Sequence, residues 1–154
     1  MDATPPPAPL SGAFHGPLHL FPLRVYYEDT DLSGMVYHAN YLRWFERARS
    51  DLLRLLGIDQ RAAADTGEGT YTVAELSIRY LAPARLDDAV TIATAATELG
   101  AASVRLRQRA LRDDQLLADA SVRVGFISPD GRPRRQPSAW RAAFESLQSA
   151  KDAA

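Results

Sequence analysis

The residues able to do chemistry concentrate between Tyr26 and Glu46, in the string YYEDTDLSGMVYHANYLRWFE. Glu28, Asp29 and Asp31 fall in a stretch whose Asp, Thr, Ser and Gly content marks a loop. Gly34 follows, and His38 stands at the entrance of an amphipathic run. A helix start offers unpaired N–H groups and a partial positive charge, so it can hold an oxyanion. A carboxylate a few residues upstream can loop back to the same point. A nucleophile or base beside an oxyanion donor is what acyl transfer requires, and an ordinary aspartate is ionised at neutral pH without an activating partner. Asp and Gly before a helix are also standard loop and capping chemistry. Residue types alone favour that plainer use.

The elements that must position these residues follow from periodicity. Tyr41, Phe45, Ala48, Leu52 and Leu55 recur at helical spacing, widened by Leu42, Leu53 and Leu56. Asn40 is the expected N-cap and Gly57 the expected stop. Arg43, Glu46, Arg47, Arg49 and Asp51 are expected on the polar side, with Glu46–Arg49 and Arg47–Asp51 as helical neighbours. Leu20 to Tyr27 reads as a first strand, limited by Pro22. After residue 70 the period switches to two, giving strands over 70–80, 90–99, 103–112 and 115–128 joined by short antiparallel connections. A two-residue turn at Asp113–Asp114 would set apolar positions against arginines. The hydrophobic pattern fixes register more strongly, so a three-residue loop or a bulge is expected, with Arg109 facing Asp119 and Arg105 facing Arg123. Trp140, Phe144 and Leu147 predict a short closing helix over 138–148. An α+β arrangement results: the sheet has one apolar face, the early helix is the only long element to cover it, and the sheet should wrap around that helix.

The 154 residues suffice for one domain with a sizeable core. The domain is expected over 20–148. A mobile tail is expected over 1–19, including His15 and His19, and a frayed tail over 149–154. The absence of cysteine excludes disulfides and thiolate chemistry. Eighteen basic against nineteen acidic residues, net charge −1, give no support for a nucleic-acid footprint. No apolar run approaches the ~20 residues of a membrane span, and the first residues lack the pattern of a secretory signal. The reading is a soluble cytoplasmic protein. No phosphate-binding loop, dinucleotide fingerprint or metal-ligand spacing appears, so no cofactor and no metal are expected.

The string YEDTDLSGMVYHANYLRWFERAR resembles the signature of hotdog-fold acyl-CoA thioesterases of the 4-hydroxybenzoyl-CoA thioesterase type, and most closely their YbgC-like, Tol–Pal-associated branch. It carries Asp31, Gly34, then Met35, Val36, Tyr37 and His38, then Asn40 and Tyr41. The stretch Ile78 to Asp88 resembles the family's first strand after the helix, and the likeness spans about residues 22 to 128. It implies a hotdog fold, a curved antiparallel sheet wrapped around a long central helix. It also implies subunits that pair, and commonly assemble to tetramers, with active sites at the interface. Asp31 matches the catalytic carboxylate, acting as nucleophile or as general base. His38 matches the residue whose N–H polarises the thioester oxygen. Gly34 and Val36 would shape the turn and pocket wall, Tyr27 would support the loop by packing, and Tyr37, Asn40 and Tyr41 complete the expected acyl-CoA contacts. Glu28 and Asp29 are expected in loop or subunit contacts, and Glu46 in a surface ion pair. Arg105, Arg107, Arg109 and Arg123, or Arg132, Arg134 and Arg135, are candidates for the CoA phosphates. A non-catalytic acyl-thioester-binding module near envelope machinery is the competing reading.

Overall fold

A computed structural model describes residues 3–153, with side chains described to residue 148. The elements are β1 (Ala13–His15), β2 (Leu18–Arg24), a 3-10 turn (Tyr27–Asp29), α1 (Asn40–Leu55), α2 (Gln60–Thr66), β3 (Thr70–Tyr80), β4 (Ala89–Leu99), β5 (Ser103–Arg112), β6 (Gln115–Ile127) and α3 (Ser138–Ala153). The strands form one antiparallel sheet in the order β1-β2-β4-β5-β6-β3. Among the described residues, no helix is long and apolar enough to cross a membrane.

Period two in the sequence becomes burial. The even residues of β6 from Ala118 to Phe126 are buried, as are Val104, Leu106 and Ala110 of β5 and Val90 and Ile92 of β4. Against them α1 places Tyr41, Trp44, Phe45, Ala48, Leu52 and Leu53 in one continuous core, which Phe144 of α3 joins. Apolar area removed from water on this scale is the main favourable term in folding. Leu55, expected in the stripe, is exposed because the stripe drifts off the core at the helix end.

Between β5 and β6, Arg112 pairs with Gln115, so the turn at Asp113–Asp114 has two residues, and a register shift between Ala110 and Leu111 restores the parity. Arg109 faces Asp119 and Arg105 faces Arg123 as expected. The ion partner of Asp119 is the diagonal Arg107, at 2.8 Å. The facing Arg105 and Arg123 are both bridged by Glu75 of β3, at 3.4 and 3.5 Å. Among the described residues β3 pairs only with β6, leaving its other edge open.

Three expectations are corrected. The tail expected over 1–19 is ordered from Ser11 onward. Strand β1 pairs with β2, and His19 is fully buried. Arg49 and Asp51, expected on the polar side of α1, are buried because each meets a polar partner distant in sequence: Gln108 for Arg49, and Ser11, Gly12 and His19 for Asp51. Asn40 is not the N-cap. Ala39 occupies that position and supplies no side-chain bond. Gly57 does follow the helix with φ +79, as a stop requires. Of the frayed tail expected over 149–154, the residues to Ala153 continue α3, and residue 154 lies outside the described residues.

Candidate active site

Asp31 sits on a tight turn between the 3-10 turn and α1. Its carbonyl accepts from the Gly34 N–H at 3.0 Å and its N–H donates to the Met35 carbonyl at 3.0 Å. Gly34 has φ +81, a conformation that favours glycine. The returning strand is tied down outside the turn. Val36 N–H donates to the Ala84 carbonyl at 2.9 Å, and Met35 bridges Arg85. Tyr37 N–H donates to the Asp29 carbonyl at 2.9 Å. Asp29 is the brace of the loop: one carboxylate oxygen accepts from the Tyr26 N–H, the other from the Asn40 side-chain amide, both at 2.8 Å. The amide of Asn40 is therefore spent on the loop rather than on capping the helix.

Two consequences follow. The Asp31 carboxylate is exposed and accepts from both the hydroxyl and the N–H of Ser33. These bonds, the hydroxyl's first, hold its carboxyl below the usual aspartate value. The start of α1, meanwhile, has no side-chain cap. The His38 and Ala39 N–H groups donate to no acceptor among the described residues. An ionised carboxylate and a set of open N–H donors thus lie on one short segment.

Asp31 and His38 line separate cavities with no lining residue in common. Asp31 lines one of about 380 Å³ with Glu28, Thr30, Tyr37, Asn40 and Arg43. His38 lines one of about 310 Å³ with Val36, Tyr41, Tyr80, Leu81 and Pro83. Gly34, Val36, Tyr37, Asn40 and Tyr41 all lie on or beside this segment. Tyr27 does not support the loop by packing, since its side chain is 82% exposed. Val25, two residues earlier, rather than Tyr27, faces the core. Glu46 does not ion-pair with Arg49 among the described residues. Tyr80, in the sequence simply the last residue of the strand expected over 70–80, lies beside His38. Its hydroxyl donates to the His38 carbonyl at 2.8 Å, and its ring meets those of His38 and Tyr41 edge to face. A tyrosine ending a strand on an otherwise apolar face was the only signal for it. Among the described residues, no group of three His, Cys, Asp or Glu side chains is placed to hold a metal ion.

A curved antiparallel sheet packed on a long central helix is the architecture of a hotdog-fold protein. The chain belongs to the thioesterase superfamily, whose family model matches residues 33–118. It is similar, at 39% identity over 128 residues, to the acyl-CoA thioesterase YbgC of Haemophilus influenzae, a match covering 82% of this chain and 94% of that protein. At 40% identity over 137 residues it is similar to the acyl-CoA thioesterase YbgC of Helicobacter pylori, covering 82% of this chain and 97% of that one. Among solved structures, a probable thioesterase from Bartonella henselae matches with a TM-score of 0.75 at 38% identity, covering 78% of this chain and 99% of the other.

Proposed function

We propose that the protein hydrolyses acyl-CoA thioesters to free CoA and a carboxylic acid, with Asp31 supplying the reacting carboxylate. The observation that carries this reading is the exposed Asp31 carboxylate, held in its ionised form by Ser33 on the segment that opens into the uncapped start of α1. The names of the similar YbgC proteins support the substrate class. In the reaction, a carboxylate oxygen of Asp31 attacks the thioester carbon, or removes a proton from a water that does so. The carbonyl electrons collect on oxygen, where the N–H groups of His38 and Ala39 offset the charge. The thiolate of CoA then leaves; on the general-base route it takes the proton that Asp31 removed from water, restoring the carboxylate. On the nucleophilic route, water hydrolyses the resulting anhydride and restores Asp31.

The working form is an oligomer of this chain, a dimer or a tetramer. Tyr26, Tyr27, Leu32 and Tyr37 are exposed around the Asp31 turn, and β3 has an unpaired edge. Exposed apolar groups clustered in this way and open strand edges are surfaces that proteins cover.

The deciding experiment measures CoA release over short, long and aromatic acyl-CoAs, with Asp31→Asn alongside. Hydrolysis by the wild type and a loss of about 100-fold or more in the variant support the reading. Binding of acyl-CoA without hydrolysis would identify a non-catalytic module instead. Full activity in the variant would remove Asp31 from the mechanism.

A further inference from the structure

Away from the Asp31 turn, a cavity of about 400 Å³ opens between the second half of α1, β3 and α3. Leu53, Leu106, Val124 and Phe144 supply apolar walls, and Arg49 lies among them. None of these residues lines the cavities of Asp31 or His38. The volume falls in the range of small-molecule sites.

Arg49 is only 9% exposed, yet among the described residues it has a single protein acceptor. Its Nη1 donates to Gln108 Oε1 at 2.9 Å. Gln108 is fully buried, and its amide nitrogen donates to the Phe45 carbonyl and to Thr94 Oγ1, each at 3.0 Å. Those two bonds orient the glutamine so that its oxygen faces the guanidinium. A guanidinium carries five N–H donors, and a neutral amide oxygen does not balance its charge. No carboxylate lies within salt-bridge distance of Arg49 among the described residues. Glu46, one helical turn back, lines the same cavity and attracts Arg49 only through space, being exposed and outside salt-bridge distance. Removing a cation from water without a counterion is costly, and planar guanidinium donors match a carboxylate bidentately.

We propose that this cavity binds a carboxylate carried on an apolar body, with Arg49 recognising the anion and the Leu53, Leu106, Val124 and Phe144 walls taking the hydrocarbon. Glu46 opposes the bound charge and, being exposed, turns toward solvent. The inference does not depend on the thioesterase reading. Its ligand is either a free carboxylic acid or a carboxylate at the far end of a larger molecule.

The test is calorimetric titration of the full-length protein with octanoate and with 1-octanol, which differ in charge but little in length. Octanoate should bind at least about tenfold tighter than octanol, and Arg49→Met should remove that margin. Glu46→Gln, a surface change that leaves the fold intact, should tighten octanoate binding. Equal binding of the alcohol, retention of octanoate binding in Arg49→Met, or weaker binding in Glu46→Gln would each overturn the proposal. The source of the carboxylate is separated by comparing adipoyl-CoA with hexanoyl-CoA. A preference for adipoyl-CoA that disappears in Arg49→Met assigns the site to the acyl terminus. No Arg49-dependent preference, with octanoate binding intact, assigns it to free acids.

Discussion

The fully buried ring of His19 lies with Nε2 at 2.7 Å from Asp51 Oδ2, across a separation of 32 residues. An ionised carboxylate only accepts, so Nε2 is the donor. Asp51 also accepts from the Ser11 hydroxyl at 2.8 Å and the Gly12 N–H at 2.9 Å. One carboxylate in the middle of α1 therefore fastens the first strands of the sheet to the central helix. Asp51→Asn is expected to lower unfolding free energy by about 1–3 kcal/mol, since it mismatches buried donors. Burial pushes the Asp51 carboxyl up, but the bonds from His19, Gly12 and Ser11 together outweigh it and leave the carboxyl below its usual value. A depressed carboxyl stabilises above its unfolded value, about 3.9, and loses that contribution as pH falls further toward the folded value. Urea unfolding of both proteins should show a difference that is constant at neutral pH and shrinks below about pH 4. A difference independent of pH down to 3 would contradict this.

Ser33 sets the charge of Asp31 through its hydroxyl and N–H. In Ser33→Ala the larger of these influences is gone, and the carboxyl rises toward the ordinary aspartate value. The acid limb of kcat/KM against pH should therefore move to higher pH, with activity at neutral pH nearly unchanged. An unmoved acid limb would mean that the group titrating there is not Asp31.

Tyr80 is expected to act as a positioning residue. By accepting from its hydroxyl, the His38 carbonyl fixes the peptide plane whose N–H belongs to Ala39. Tyr80→Phe keeps the ring contacts with His38 and Tyr41 and removes only this bond. We expect kcat to fall about tenfold with KM little changed, since a neutral hydrogen bond contributes about 1 kcal/mol. Equal loss in kcat and in thermal stability without a kcat–KM split would mark the bond as structural only.

Gly69, entering β3, has φ +144. A Cβ there would stand 2.6 Å from both the Ile127 carbonyl oxygen and the ring of Phe126. Gly69→Ala is expected to cost about 1–3 kcal/mol by overpacking and backbone strain, seen as a lower urea midpoint. Gly131→Ala serves as a comparison, because nothing lies within 4 Å of its added Cβ and only backbone strain at φ +83 remains.

Local signals determined strands β3 to β6, the central helix and the Asp31 turn, because period two, period 3.6 and turn chemistry are written in neighbouring residues; β1, which pairs with β2, was not among them. They even carried the bulge between β5 and β6, since hydrophobic parity and a two-residue turn conflict on the page of the sequence. What the tertiary structure alone decided is where polar residues go. Arg49, Asp51 and His19 look like surface or tail residues because their partners, Gln108 and the segment from Ser11, lie 59, 40 and 32 positions away. Asn40 looked like a cap, but Asp29 competes for its amide once the chain turns back. Asp31 itself was legible as a chemical group, whereas its ionised, exposed setting and the open helix start beside it required the loop to close. A side chain's type records what it can bond. Which partner it meets depends on chain segments that only folding brings within hydrogen-bond reach.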